Sequence, residues 1–152
     1  MRREILFFFM LTFFLYTNSY TQDKRFFNKL DSSQKAERTN SAQMIFNDIE
    51  AGIAGGDVTR LSRFLGSQTY FSLSNGVSGY YSANQAYYVL EDFFKIYQVV
   101  SFRLNNVKAE GDNPYATGEY YYDLKGKRDT AQVYISLKFT GNNWKITQIT
   151  IN

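Results

Sequence analysis

The chain has no cysteine and no histidine among its 152 residues, and a single proline. Without cysteine no disulfide can brace the fold and no thiol can carry a lipid, so a domain of this composition must rely on its own core. Cysteine and histidine are the usual ligands of zinc, copper and haem iron, so no metal or other cofactor is expected. A general base, if there is one, has to be a carboxylate, a lysine or a tyrosinate. A strong excess of one charge is missing too. The net charge is +3 from 17 basic and 14 acidic residues, too even a balance to point to nucleic acid or an anionic membrane surface.

Long apolar runs are absent apart from one. Ile5 to Tyr16 (ILFFFMLTFFLY) follows Arg2 and Arg3 and leads into Asn18-Ser19-Tyr20-Thr21. About a dozen residues fall short of the roughly 20 that cross a bilayer. Basic start, short apolar run and small polar end together read as a cleaved secretory signal over residues 1–21, with Ser19 and Thr21 at the −3 and −1 positions. The expectation is a periplasmic or secreted protein with no stable membrane anchor after cleavage. Residues 22–40 are polar and charged and are expected to form a flexible leader or a loosely packed helix. One domain is then expected over residues 41–152.

Within that domain, Ser41 is a plausible N-cap for a helix carrying Ala42, Ile45, Phe46, Ile49 and Ile53 on one face. Gly55-Gly56 ends it. Asp57 starts a short second helix with Val58, Leu61, Phe64 and Leu65, expected to stop at Gly66. Tyr70 to Leu73 reads as a strand, followed by an Asn75-Gly76 turn. The third helix has the clearest pattern: Ser82 and Gln85 form a capping box, and Ala86, Val89, Leu90, Phe93, Phe94 and Tyr97 form one apolar stripe. Four β segments follow. In the third of them Ala131, Val133, Ile135, Leu137 and Phe139 alternate with Gln132, Tyr134, Ser136 and Lys138, giving a core side and a wetter side. In the last, the apolar parity switches between Trp144/Ile146 and Ile149/Ile151, which predicts a β-bulge near Thr147-Gln148. The fold class is α+β.

This order of elements resembles the nuclear transport factor 2-like (ketosteroid isomerase-like) superfamily, over about residues 42 to 152. More narrowly the chain is similar to a family of exported bacterial domains of unknown function within it. The residues that carry the likeness are Ile45-Phe46, Ile49, Ile53 and Gly56-Asp57, then Gly79-Tyr80-Tyr81-Ser82 with Asp92-Phe93-Phe94, then Tyr115-Ala116-Thr117-Gly118 and Trp144-Lys145-Ile146. The resemblance implies three helices packed on a bent antiparallel sheet that wraps them as a cone. It implies a fold and not a mechanism.

The carboxylates look unpromising for catalysis. Glu91 and Asp92 lie at or beyond the rim of the helix stripe, Asp112 is in a turn, and Glu119 falls on the outer strand face. No catalytic residue is assigned. Tyrosine is the more telling residue. Ala116 and Gly118 are small, as a helix packed closely on the sheet would require, so Tyr120 and Tyr122 on the same face point inward. With Tyr97 and Trp144 they are expected to line an apolar pocket carrying a few hydroxyls. The opposite parity places Tyr115, Glu119 and Tyr121 outside, beside Tyr134 and Arg103, and Tyr and Arg are enriched where proteins meet. The resemblance implies that this outer face can form a homodimer. Other motifs fail: Gly52 to Gly56 lacks the Lys-Ser/Thr of a phosphate loop, and Glu110 to Pro114 is too short for a calcium loop.

The expectation is therefore an exported, non-catalytic binding or interaction domain for a small hydrophobic or peptide ligand, or for a second copy of itself. The alternative is a cofactor-free lyase or isomerase of the ketosteroid isomerase-like type. That would need a buried Asp or Glu within hydrogen-bond reach of Tyr120 or Tyr122.

Overall fold

A computed structural model describes the backbone of residues 2–152 and the side chains of residues 28–152. The side chains of the signal expected over residues 1–21 lie outside the described ones. The chain forms two compact units, Met1–Glu37 and Arg38–Asn152. Helix α1 is Arg2–Ala54. The polar segment 22–40 falls within it, and the side chains of residues 28–38 are exposed. Ser41 is not an N-cap as expected, because the helix continues upstream. Its Oγ donates instead to the Arg38 carbonyl, one turn back, at 2.8 Å. Among the described residues no helix is long and apolar enough to cross a membrane.

In the second unit α1 buries Ala42, Phe46, Ile49 and Ile53, the stripe its periodicity predicts. It ends where Gly56 adopts φ +60°, a conformation that favours glycine. Helix α2 (Val58–Ser62) is capped by Asp57, whose carboxylate accepts from the Arg60 amide at 2.9 Å. Helix α3 (Ala83–Ile96) has the capping box of Ser82 and Gln85, and buries Ala86, Leu90, Phe93 and Phe94.

Six strands form one sheet: β1 (Leu65–Leu73), β2 (Ser78–Ser82), β3 (Gln98–Lys108), β4 (Tyr115–Leu124), β5 (Lys127–Thr140) and β6 (Asn143–Ile151). Their order is β2-β1-β6-β5-β4-β3. Every pairing is antiparallel except β1 with β6, which run parallel. That pairing starts at Leu65, opposite Ile146, so Gly66 does not stop a helix as expected but lies inside β1. A Cβ at Gly66 would stand 3.0 Å from the Ile146 carbonyl oxygen, which explains the glycine. Nearby, the buried Thr69 hydroxyl donates to that same carbonyl at 3.1 Å.

The inner face of the sheet carries the core, with Phe71 and Leu73 from β1, Tyr120 and Tyr122 from β4, Val133, Ile135 and Leu137 from β5, and Ile146, Ile149 and Ile151 from β6. Three breaks in register fall in the antiparallel pairings. Thr147 is an extra residue between the Ser136–Gln148 and Leu137–Ile146 pairs, which is the bulge that the parity switch predicts. Val100 is extra between Val99–Tyr122 and Ser101–Tyr121, and Asn105 between Leu104–Gly118 and Asn106–Thr117.

Candidate functional site

Inside the sheet, α3 and β4 build an aromatic cluster. The ring of Phe93 stacks on Tyr97 with centroids 4.6 Å apart, and Tyr97 meets Tyr122 edge-on at 5.1 Å. Tyr120 stacks on Phe94 and Tyr122 at 6.2 and 5.7 Å. Phe102 of β3 closes the group at 6.3 Å from Tyr120. Tyr120 is fully buried, and its hydroxyl donates to the Tyr97 carbonyl at 2.6 Å. That carbonyl belongs to the C-cap residue of α3, so the phenol satisfies one of the acceptors that a helix end leaves open. Burial, reinforced by the Tyr122 phenol alongside, pushes the Tyr120 hydroxyl well above the ordinary tyrosine range. Burial also raises Tyr122, with Asp129 and Tyr97 adding to it. Both shifts favour the protonated phenol.

Of the four residues expected to share a pocket, the structure brings three together and leaves one out. Trp144 lies at the other end of β5, paired with Phe139, whereas Tyr122 is paired with Asp129. The two positions are ten residues apart on β5, about 33 Å at strand spacing. The buried indole donates to the Arg38 carbonyl at 3.2 Å and to Ser41 Oγ at 3.0 Å. Its work is to hold α1 against the β5–β6 hairpin. Gly118, too, is small for a different reason from the one expected. A Cβ there would overlap the Arg103 carbonyl on β3, not a helix. The glycine serves the close strand pairing at the Asn105 bulge.

Among the described residues no aspartate or glutamate is buried; the buried polar group there is Thr69. None bonds to Tyr120 or Tyr122. Asp48 pairs with Arg60 at 2.6 Å, and Glu91 with Lys95 at 2.9 Å. Nor does any group of three or more acidic residues among them stand close enough to hold a metal ion.

The outer face is organised differently. Arg103 of β3 stands opposite Glu119 of β4, and Ser101 opposite Tyr121. The Tyr121 hydroxyl donates to Glu119 Oε2 at 2.9 Å. That bond and the charge of Glu119 raise its pKa. Further along the face, Tyr115 stacks on Tyr134 at 5.7 Å, with Lys108 Nζ 6.0 Å from the Tyr115 ring centre. All five residues expected on this face are there: Arg103, Tyr115, Glu119, Tyr121 and Tyr134. Tyr121 separates two hollows. One, of about 310 Å³, is lined by Ser101, Arg103, Asn105 and Glu119 among others. The other, of about 370 Å³, is lined by Val100, Ser101, Arg128, Asp129 and Thr130 together with the two tyrosines 121 and 122. Val100, 47% exposed, is the residue that sequence reasoning missed. In the sequence Val100 alternates with Ser101 and Arg103 as Phe102 and Leu104 do, and only the bulge after Val99 breaks it out of that pattern.

Comparison with known proteins agrees with this architecture. A family model described as a domain of unknown function, DUF4783, matches residues 46–152. A solved structure of a DUF4783 family protein from Bacteroides uniformis is 19% identical, with a TM-score of 0.64, covering 70% of this chain and 94% of that one. A second, from Bacteroides ovatus, is 20% identical with a TM-score of 0.61, covering 68% and 90%. A protein from Catenulispora acidiphila with a ketosteroid isomerase-like fold, solved with trimethylamine, is 14% identical with a TM-score of 0.58, covering 71% and 83%. Comparison with curated proteins finds no match. The fold is nuclear transport factor 2-like, with a buried aromatic cluster.

Proposed function

This chain belongs to the DUF4783 family of domains, and on that premise we propose that it is an exported, non-catalytic binding domain that makes its contacts through the outer sheet face. The observation that carries this reading is Tyr121. It is 45% exposed and stands between two hollows, with Arg103 and Glu119 beside it. The tyrosines of the interior, by contrast, are packed against one another, and the Tyr120 hydroxyl is committed to the backbone.

The partner this patch fits best is a second copy of the chain. Arg103 and Glu119 are opposite charges on neighbouring strands. A two-fold axis through the patch sets each arginine against the other copy's glutamate, so one surface complements itself. Tyr121 supplies a large aromatic at the centre of such a contact. A small hydrophobic or peptide ligand in the hollow beside Val100 would share Tyr121 with that contact. Sedimentation velocity over a range of concentrations tests the pairing. The expected result is a dimer that Tyr121→Arg converts to a monomer; a chain monomeric at every concentration overturns it. Export rests on the first 21 residues. Mass measurement of the protein recovered outside the cytoplasm should give a chain beginning near Gln22, and an uncleaved chain retained inside the cell overturns that part.

A further inference from the structure

At the other end of the same outer face is a hollow of about 480 Å³, lined by Gln68, Tyr70, Tyr80, Ser136, Thr147 and Gln148. The Thr147 bulge in β6 turns successive residues to the outside there, and a break in the β1–β6 pairing falls between Leu65 and Tyr70, the stretch that carries Gln68. Bulges commonly re-aim side chains next to binding sites. The volume lies in the range of small-molecule sites.

The chemistry of the lining is uniform. It holds two amides, two aliphatic hydroxyls and two phenols, and no charged side chain. Tyr80 is 72% exposed, the highest value among the exposed large apolar side chains. Its ring meets Tyr70 edge-on at 5.1 Å, which holds it in place while leaving most of it open. Tyr70 is itself held by Ser78, hydroxyl to hydroxyl, at 3.1 Å. Ser136 and Thr147 share a bond of 3.0 Å. Gln148 Nε2 donates to Thr150 at 3.1 Å, which leaves the Gln148 carbonyl oxygen free as an acceptor. Gln68 is exposed at the rim of the hollow.

We infer that this hollow is a binding site for a neutral saccharide, a pyranose unit of an uncharged glycan. An open ring on a firm support offers a flat apolar face for the C–H face of a sugar. Amides and hydroxyls around it match a ligand whose own groups are hydroxyls, each both donor and acceptor. An ionic ligand is disfavoured. A phosphate, a uronate or a nucleic-acid strand would call for arginine or lysine in the lining. The site goes beyond the contact centred on Tyr121 and is separate from it. Ser136 is six residues along β5 from Thr130, the partner of Tyr121, or about 20 Å away at strand spacing.

The test is calorimetric titration of the full chain with a panel of neutral hexasaccharides built on glucose, xylose, mannose and galactose. Hexagalacturonate and an uncharged decapeptide serve as comparisons. At least one neutral sugar should bind. Tyr80→Ala should weaken it about tenfold, the usual scale for removing an aromatic stacking platform, while Tyr80→Phe should keep most of the affinity. Gln68→Ala should weaken it without touching the core, because Gln68 is exposed. Tyr121→Ala should leave sugar binding unchanged even where it abolishes dimerisation, so the two readings fail separately. No binding across the neutral panel overturns the inference. So does binding that survives both Tyr80→Ala and Gln68→Ala, or stronger binding of the galacturonate or the peptide.

Discussion

Tyr120 is the largest of the fully buried side chains, and it carries a polar atom into the core. Its hydroxyl is tolerated there because the Tyr97 carbonyl accepts from it at 2.6 Å. Tyr120→Phe leaves that carbonyl without its partner and should lower the unfolding free energy by about 1 kcal/mol in urea titration. It should also alter the response to alkali. The folded-state pKa of this phenol lies above its unfolded value of about 10. The stabilisation is thus complete below about pH 10 and is lost as pH rises from there toward the folded value, because the unfolded chain ionises first. Stability measured by urea at pH 8 and at pH 11 should fall less in Tyr120→Phe than in the parent. An equal fall in both would show that Tyr120 does not drive the alkaline loss. At this scale the inward parity of Tyr120 and Tyr122 is legible from the strand alternation that they share with Ala116, whereas Gly118 is small because of the strand beside it. The position of Trp144 is not legible, because the parity of a strand says which face a residue takes and nothing about which end.

Among the elements, α3 is the one whose boundaries the sequence states outright. Ser82 and Gln85 bond each other's backbone, at 3.4 Å and 3.0 Å, and the strand β2 ends on the capping residue itself. Ser82→Ala should cost about 1 kcal/mol, seen as a lower thermal midpoint with unchanged helical content by circular dichroism. The Thr147 bulge is equally legible, since a strand that keeps one face buried can change its apolar parity only by taking in an extra residue or losing one. The start of β1 is not. Leu65 and Gly66 follow a short helix and carry no strand signal of their own; what draws them into the sheet is β6, some eighty residues later. Ser41 fails for a related reason. A serine before an apolar stripe marks an N-cap only if the helix begins there, and here α1 arrives from upstream.

For the molecule as a whole, the pairing proposed at the outer face makes predictions about solution behaviour. If two copies meet at Tyr121, folding and pairing are linked, and the thermal midpoint should rise with protein concentration. Tyr121→Arg should remove that dependence while leaving the dilute-solution midpoint within a few degrees of the parent. A midpoint independent of concentration in the parent would count against the pairing. A dimer formed there should also weaken with added salt, because Arg103 and Glu119 are exposed or partly exposed and their attraction is screened over about 8 Å at physiological ionic strength.

The parallel pairing of β1 with β6 has a further consequence, for the order of events during synthesis. Ser74 Oγ donates to the Ile151 carbonyl at 2.8 Å across a sequence separation of 77 residues. At roughly 5–20 residues per second, β1 waits about 4–15 s on the ribosome for the strand it must pair with. Until then β1 has only the short β2 beside it, and an isolated two-stranded hairpin is marginal in water. Closure of the sheet is therefore held back until β6 has been made.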